Sequence, residues 1–264
     1  MALFTDGLGH TVSLTKVPQR IISIVPSQTE LLHDLGLENK VIGITKFCVH
    51  PPQWFHTKTR VGGTKTLNLE KIKSLRPDLI IANKEENAKE QIEELKKEFP
   101  VWISDVNNYG DALQMIEDIG NLTGRENEAQ FLKNKIENNF QSLDGKSNLN
   151  LRTSYLIWKE PYMVAGGDTF INDMLNKAGL QNIFSYLPRY PQINIEQLLT
   201  DKCSLLLLSS EPYPFSQKHI DELQAFLPDV KMVLVNGEAF SWYGSRMLQA
   251  PSYFKKLQKQ IMAL

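Results

Sequence analysis

The segment from Asp111 to Leu143 constrains the fold of this chain more than any other part of the sequence. Its second half, Arg125 to Leu143, contains neither proline nor glycine, and Gly124 separates it from the first half. Apolar residues recur there at steps of three and four, at Ala129, Leu132, Ile136, Phe140 and Leu143. This spacing predicts one continuous helix from Arg125 to Leu143, with Asp144-Gly145 as its stop signal. At about 1.5 Å per residue the helix is about 28 Å long, which is enough to cross a small domain.

Two similar segments flank this helix. Asn68–Ala82 and Asn194–Ser209 align without a gap, and each begins with asparagine, an aliphatic residue and glutamate. Each continues as a short amphipathic helix and ends in a buried aliphatic strand. Since strands alternate with helices elsewhere too, the sequence predicts an α/β fold of two lobes with parallel sheets, joined by one long rigid helix. The predicted boundaries are residues 1–110 for the N-terminal lobe, 111–145 for the connecting segment and 146–264 for the C-terminal lobe.

Four local expectations concern the segments around these elements. Ser27 is expected to cap a helix, with Glu30 completing a capping box. Lys46–Trp54 is expected to be a loop made rigid by two prolines. Glu85–Glu98 is expected to be a charged helix, and the closing helix is expected to break near Pro251.

Composition excludes several classes of protein. The chain has 264 residues, 42% hydrophobic and 22% charged, with a net charge of -1. These values are typical of globular domains, and the dispersed Lys and Arg give no basic stripe for nucleic acid. No apolar run approaches the ~20 residues that span a bilayer. The first ten residues lack the basic and apolar regions of a signal peptide, which predicts either a cytoplasmic protein or a mature or trimmed form.

Reactive residues are few and scattered. Cys48 and Cys203 fall in different predicted lobes, so we expect neither a disulfide nor a zinc framework. His50 lies close to Cys48, but a metal site needs three or four converging side chains. We therefore favour a His50 that faces a bound small molecule over one that binds a metal ion. A nucleophilic role for Cys48 is not favoured, because the sequence near it offers no acidic residue to orient His50 as a base. We therefore expect no catalytic residue and no metal-binding residue.

The pairs Gly62-Gly63 and Gly166-Gly167 are interpreted as turns, in preference to sites where the backbone approaches a ligand closely.

Aromatic residues are concentrated in loops after strands or at strand ends. In open α/β sheets, ligands bind at the carboxyl ends of the strands, so aromatic side chains there favour a large, flat or apolar ligand. The alternative is that about half of them only pack beneath the loops. The residues are Phe47, Trp54, Trp158, Tyr162, Tyr190, Tyr213, Phe215, Trp242 and Tyr243.

Four segments carry a resemblance to a known family. They are Pro18–Gly36, Asn68–Ala82, Gly166–Phe184 and Asn194–Leu198. Together they resemble the substrate-binding proteins of cobalamin and iron-chelate ABC importers, which have a helical backbone between their lobes. The resemblance runs from about residue 8 to the C-terminus and is greatest to the cobalamin-binding members.

This resemblance implies a fold of two Rossmann-like lobes and a ligand held between them. The implied function is non-catalytic capture of a corrinoid or of a ferric siderophore or haem-type chelate, with no tightly bound cofactor. The implied partner is the permease dimer of an ABC importer, and the protein is expected to be a monomer outside the cytoplasm. An enzyme or metallochaperone in the cytoplasm that handles a tetrapyrrole or metal chelate on the same fold is the alternative.

The resemblance also assigns roles to individual residues. Glu70 and Glu196 are expected to pair with arginines of the permease. The residues expected to contact the ligand are Phe47, His50, Trp158, Tyr162 and Tyr190, with Trp242, Tyr243 and Arg246 at the rim.

Overall fold

The structure is a computed structural model that describes residues 1–143, 149 and 151–264. It separates into two compact units. The first comprises Met1–Val106, Gly110–Lys135 and Tyr243–Ser245, and the second comprises Asn107–Tyr109, Ile136–Trp242 and Arg246–Leu264. The domain boundaries given above stay a prediction.

The first unit is built on a five-stranded parallel sheet. Its strands lie in the order β5-β4-β3-β6-β7, and a separate hairpin of β1 and β2 precedes them. The elements up to the helix in which the first unit ends are, in chain order, β1 (Ala2–Thr5), β2 (Thr11–Leu14), β3 (Ile21–Ser23), α1 (Pro26–Asp34), β4 (Val41–Ile44), α2 (Pro52–Thr57), β5 (Thr59–Arg60), α3 (Leu69–Leu75), β6 (Leu79–Asn83), α4 (Lys89–Lys96), β7 (Val101–Ser104), α5 (Tyr109–Thr123) and α6 (Glu126–Gln141).

The second unit repeats this plan. Parallel strands lie in the order β10-β8-β11-β12, and β9 pairs antiparallel with β8. Its elements are β8 (Arg152–Trp158), β9 (Met163–Val164), α7 (Phe170–Lys177), β10 (Gln181–Asn182), α8 (Ile195–Thr200), β11 (Leu205–Ser209), α9 (Gln217–Gln224), β12 (Lys231–Val235), α10 (Glu238–Ser241) and α11 (Ala250–Met262), with a 3-10 turn at Ser245–Leu248.

One central strand of each sheet is buried along its whole length. Every residue of β6 and of β11 is buried, as expected for parallel strands that are covered on both faces. The predicted fold class, α/β with parallel sheets in two units, is confirmed.

The internal repeat seen in the sequence is also a structural repeat. Asn68 and Asn194 both precede the first residue of a helix. The side-chain oxygen of Asn68 accepts a hydrogen bond from the N–H of Lys71, and the side-chain oxygen of Gln197 accepts one from the N–H of Asn194. In both units the helix leads to the strand paired with the first strand of the sheet, with Ile21 opposite Leu79 and Thr153 opposite Leu205.

In each unit, an arginine at the start of the first strand of the parallel sheet binds the C-terminal end of the repeat helix. The Nη2 of Arg20 donates to the carbonyl of Leu75 at 2.6 Å, and the Nη2 of Arg152 donates to that of Asp201 at 2.6 Å. These carbonyls occupy equivalent places at the ends of α3 and α8. The next residue in each case has a positive φ, 46° at Arg76 and 50° at Lys202. A guanidinium that satisfies the last carbonyls of a helix stabilises its C-terminus.

The helical segment between the flanking repeats is interrupted where the sequence indicated. Gly124 has a φ of +67° and separates α5 from α6. Helix α6 is continuous, and its apolar stripe is buried at Ala129, Leu132, Ile136 and Phe140. The division between the units falls within this helix, after Lys135. The predicted stop signal at Asp144-Gly145 lies outside the described residues. No helix in the described segments is both long and apolar enough to cross a membrane.

The predicted capping box at Ser27 is wrong. Helix α1 begins two residues earlier than predicted, at Pro26, and Val25 precedes it without a side-chain cap. Proline suits the first helical position because its φ is already helical and it has no N–H to satisfy. The Ser27 hydroxyl is buried and finds no hydrogen-bond partner among the described residues.

Three other element boundaries differ from the predictions. The segment Lys46–Trp54 is not all loop, because α2 begins at Pro52. Helix α4 starts at Lys89 rather than Glu85, since the side-chain oxygen of Asn83 accepts from the N–H groups of Glu85 and Glu86 and holds a turn there. The closing helix was predicted from Arg246 with a break near Pro251; a 3-10 turn at Ser245–Leu248 precedes that break, and α11 begins only at Ala250, with Pro251 in its first turn.

Candidate functional site

The carboxyl edge of the sheet in the second unit gathers several of the predicted ligand residues. Strands β8, β10, β11 and β12 are parallel, so the loops that follow them leave the same edge. Trp158 is the last residue of β8 and exposes 39% of its surface. Tyr190 follows β10, and Trp242 and Arg246 follow β12. This edge is where open α/β sheets bind ligands.

Backbone pairing fixes the positions of Tyr162 and Tyr190. The N–H of Ile193 donates to the carbonyl of Tyr162 at 2.9 Å, and the N–H of Val164 donates to that of Pro191 at 3.1 Å. Strand β9 in turn pairs with the end of β8, where Met163 lies opposite Trp158. Three predicted ligand residues therefore lie on one connected ribbon of backbone in this unit.

The glycine pair after β9 packs against the chain itself. A Cβ on Gly166 would lie 2.3 Å from the carbonyl oxygen of Leu187, and one on Gly167 would lie 1.9 Å from that of Ser185. The N–H of Gly167 donates to the Leu187 carbonyl at 2.8 Å. These two glycines permit a close approach of backbone to backbone.

Some of the aromatic residues pack beneath the loops. The rings of Trp158 and Tyr213 meet edge to face at 5.7 Å, and Tyr213 also contacts Phe215 and His219. The N–H of Ser216 donates to Nδ1 of His219 at 2.9 Å, while Nε2 lies 3.2 Å from the Tyr213 hydroxyl. Because Nδ1 accepts, the imidazole proton is on Nε2 and faces the tyrosine. This network fixes the surface on which Trp158 rests.

A polar cluster lies beside Trp242. Its indole Nε1 donates to Oε1 of Glu211 at 2.9 Å, and the Ser241 hydroxyl donates to the same oxygen at 2.7 Å. The Arg246 guanidinium lies 5.4 Å from the Trp242 ring centre and pairs with Glu238 at 3.3 Å. Burial raises the pKa of Glu211, the nearby Glu238 carboxylate raises it further, and the two hydrogen bonds oppose the shift.

The raised pKa of Glu211 gives a prediction for stability. A carboxyl group with a folded-state pKa above its unfolded value stabilises the fold below the unfolded pKa, and this contribution is lost as the pH rises through the folded pKa. Glu211→Gln keeps an oxygen acceptor but removes the charge. We therefore expect the variant to have a higher free energy of unfolding than the wild type at about pH 8, with less difference at about pH 4.

Urea unfolding at both pH values measures this effect. Glu90→Gln is the control, because it is the same substitution at a glutamate that is exposed on α4. A Glu211→Gln protein that is less stable than the wild type at both pH values would contradict the prediction, since its hydrogen bonds would then outweigh the cost of burying its charge.

The first unit contains the other predicted ligand residues. Phe47 exposes 51% of its surface in the loop after β4, and Lys46 Nζ lies 5.1 Å from its ring centre. His50 is half-buried at the end of the same loop. Tyr243 is buried, and its hydroxyl donates to Oε1 of Glu86 at 3.2 Å. The role of these residues in binding stays a prediction.

The two thiols have surroundings unsuited to nucleophilic chemistry. Both are free and buried, and burial raises the pKa of each, that of Cys203 to about 11. The sulfur of Cys48 lies 3.1 Å from the hydroxyls of Thr29 and Thr45. A thiol held protonated in this way is a poor nucleophile. Among residues 1–143, 149 and 151–264, no group of three or more His, Cys, Asp or Glu side chains could hold a metal ion.

Glu70 and Glu196 occupy the same place in the two repeats. Each is the second residue of its helix, α3 or α8, and each is exposed. Their side chains are therefore available to a partner, and their assignment to permease docking stays a prediction.

Sequence reasoning missed Glu211 and Arg189. The rule that directed attention to aromatic residues at strand ends also applies to Glu211, which follows β11. Arg189 has a positive φ of 58°, its guanidinium lies 6.0 Å from the ring centre of Tyr190, and its N–H donates to Asp168. No periodicity in the sequence marks this residue, because its position depends on the loop conformation.

Comparison with known proteins defines the class. Residues 21–228 match the family model described as periplasmic binding protein, so the chain belongs to the periplasmic binding protein family.

Individual relatives agree with this membership. The vitamin B12-binding protein of Pectobacterium carotovorum is 25% identical over 243 residues, which cover 89% of this chain and 86% of that protein. The crystal structure of the periplasmic vitamin B12 binding protein of Vibrio cholerae aligns with a TM-score of 0.75 at 25% identity, covering 92% of this chain and 99% of that one. The periplasmic heme binding protein of Vibrio cholerae aligns with a TM-score of 0.78 at 20% identity, covering 91% and 98%, and shows the fold alone.

Proposed function

We propose that this chain is a non-catalytic solute-binding protein that captures a corrinoid or a ferric chelate and delivers it to an ABC importer. Membership of the periplasmic binding protein family supports a location outside the cytoplasmic membrane for this protein. The vitamin B12-binding relatives support a corrinoid as the first ligand to test.

The observation that carries the proposal is the exposed indole of Trp158 at the carboxyl edge of a parallel sheet. An aromatic face supported by Tyr213 offers a flat, rigid surface at low entropic cost. Corrins and haems are macrocycles with broad apolar faces, which is the shape such a surface fits. Phe47, His50, Tyr162, Tyr190, Trp242, Tyr243 and Arg246 are proposed as further contacts.

Titration with three ligand classes tests the proposal. Cyanocobalamin, haemin and a ferric hydroxamate are each added to the protein while tryptophan fluorescence and the visible spectrum of the chelate are followed. We expect saturable quenching and a shifted chelate spectrum with at least one class. Absence of saturation with all three would overturn the proposal.

Docking to the importer is proposed to use Glu70 and Glu196. Charge pairs at the rim of an interface mainly set the association rate and the register, and salt screens them. Glu70→Ala and Glu196→Ala are each expected to weaken docking to the cognate permease by about 1 kcal/mol or more and to leave chelate affinity unchanged.

The measurement is binding to the permease in nanodiscs at low and high salt. Glu90→Ala is a matched control, because Glu90 is also exposed and is also the second residue of a helix. If the Glu70 and Glu196 double variant docks as the wild type does, these glutamates do not form the docking surface.

A further inference from the structure

A buried histidine lies beneath the aromatic surface that ends in Trp158. His219 is the third residue of α9, and its ring centre lies 5.4 Å from that of Tyr213 and 5.4 Å from that of Phe215. Tyr213 in turn contacts the indole of Trp158. We infer that His219 is a positioning residue for the ligand site and that its protonation weakens chelate binding, an inference that rests on the proposed function.

The imidazole of His219 is a hydrogen-bond acceptor at the start of its own helix. The N–H of Ser216, the residue before α9, donates to Nδ1 of His219 at 2.9 Å, and the Ser216 hydroxyl lies 3.2 Å from the same nitrogen. The equivalent residue of α8 is Gln197, whose side-chain oxygen accepts from the N–H of Asn194 at 2.7 Å. Glutamate and glutamine are the usual residues at this third position. A histidine there provides an acceptor that a proton can remove.

Protonation of His219 is incompatible with this arrangement. An imidazolium has a proton on both nitrogens and accepts no hydrogen bond, so its Nδ1–H would point at the N–H of Ser216. The ring must then turn, or the first turn of α9 must open. Either movement displaces the imidazole from the Tyr213 ring, which supports Trp158. The neutral imidazole therefore maintains the surface that Trp158 presents.

The charges around His219 also favour the neutral ring. Burial lowers the pKa of His219, and the cations of Lys159 and Lys218 lower it further, with the Glu222 carboxylate acting in the opposite direction. Glu222 is itself paired with Lys159, whose Nζ lies 2.5 Å from its Oε2. The other titratable group in contact is the Tyr213 hydroxyl, 3.2 Å from Nε2. His219 therefore gains its proton only below the ordinary histidine pKa of about 6.5.

The binding of a chelate is then linked to the loss of this proton. A flat ligand that stacks on Trp158 in its observed position favours neutral His219, so its affinity falls as the pH falls through the pKa of His219 in the free protein. Because the support is an edge-to-face aromatic contact, we expect binding at about pH 5 to be about threefold or more weaker than at about pH 7.5.

The first measurement needs no ligand. The imidazole ¹⁵N signals of the full chain and the indole N–H signal of Trp158 are followed from about pH 7.5 to about pH 4.5. We expect the Nε2–H tautomer of His219 at the higher pH, and a shift of the Trp158 signal with the same midpoint as His219. In His219→Gln the Trp158 shift should be absent. A His219 that stays neutral throughout, or a Trp158 signal that does not follow it, would overturn the inference.

The second measurement compares chelate binding at the two pH values. His219→Gln keeps a side-chain acceptor at the third helical position, as Gln197 does in α8, but it has no group to titrate. The ratio of dissociation constants at about pH 5 and about pH 7.5 should be about threefold or more in the wild type and close to one in His219→Gln. Since the same chelate is used throughout, its own titration affects all variants alike.

His56→Gln is the matched control. His56 is exposed on α2 and was not assigned to the ligand, so its substitution should leave the wild-type ratio. A His219→Gln protein that keeps the wild-type ratio would overturn the inference. The pH dependence would then belong to another group, and His50→Gln and Glu211→Gln are the variants that identify it.

The two measurements together separate this inference from the proposed function. If a chelate binds equally well at both pH values, the inference falls and the proposed function stands. If the His219 and Trp158 signals titrate together but no chelate binds at either pH, the proposed function falls, and the effect of His219 on chelate binding falls with it.

Discussion

An Asn134→Pro variant is expected to lose about 3 kcal/mol or more of its free energy of unfolding. Asn134 lies in the middle of α6, the helix within which the division between the two units falls. Proline there removes one backbone hydrogen bond, and its ring clashes with the carbonyl of the preceding turn. Because Leu132 and Ile136 on either side are buried, a kink at this point also disturbs their packing.

Urea unfolding with Asn134→Ala as the control isolates the backbone effect. The Asn134 side chain accepts a hydrogen bond from Gln130 at 2.8 Å on the exposed face, so alanine removes that contact without affecting the backbone. We expect the alanine variant to stay within about 0.5 kcal/mol of the wild type. A proline variant of wild-type stability would show that α6 is not a continuous helix.

Replacement of Trp158 or Tyr190 by alanine is expected to weaken chelate binding by about 1–3 kcal/mol each, as for other buried aromatic anchors. Trp158 presents its exposed indole at the end of β8. Tyr190 lies on the strand-like segment that pairs with the backbone around Tyr162 and is covered by the Arg189 guanidinium. A flat macrocycle that stacks on these rings loses contact area when either is shortened to a methyl group.

Tyr186→Ala is the matched control for this experiment. Tyr186 lies in the loop that follows β10, like Tyr190, and exposes 66% of its surface, but it was not among the residues assigned to the ligand. We expect this variant to bind the chelate as the wild type does. Unchanged dissociation constants for both Trp158→Ala and Tyr190→Ala would move the ligand site elsewhere.

The parts of the fold that could be predicted from the sequence are those with a strong local pattern. The aliphatic strands β6 and β11, at the ends of the two repeats, were recognised from unbroken apolar runs. The apolar stripe of α6 and the break in the helical segment at Gly124 were also predicted. Both depend on residues a few positions apart, through helical periodicity and a glycine stop signal.

The parts that could not be predicted depend on residues distant in the sequence. The interaction of Arg20 with the end of α3, and of Arg152 with the end of α8, joins residues about fifty positions apart. The turn held by Asn83 competes with a helical pattern that would otherwise extend to Glu85, and a side-chain hydrogen bond decides between them.

The candidate site was predicted at the level of residue type and only partly at the level of geometry. Aromatic residues after strands were identified, but periodicity did not reveal that Tyr213 supports Trp158 or that Glu211 binds the indole of Trp242. These contacts arise from loops whose course is set by tertiary packing, where local sequence carries little information.

The central claim is that the chain carries a chelate and does not transform it. The most direct test is to load the protein with cyanocobalamin, or with whichever chelate saturates it, separate the complex by gel filtration, denature it and analyse the released ligand by mass spectrometry. The account predicts that the chelate elutes with the protein and is released chemically unchanged after prolonged incubation. Failure of every chelate to elute with the protein, or release of an altered chelate, would contradict it.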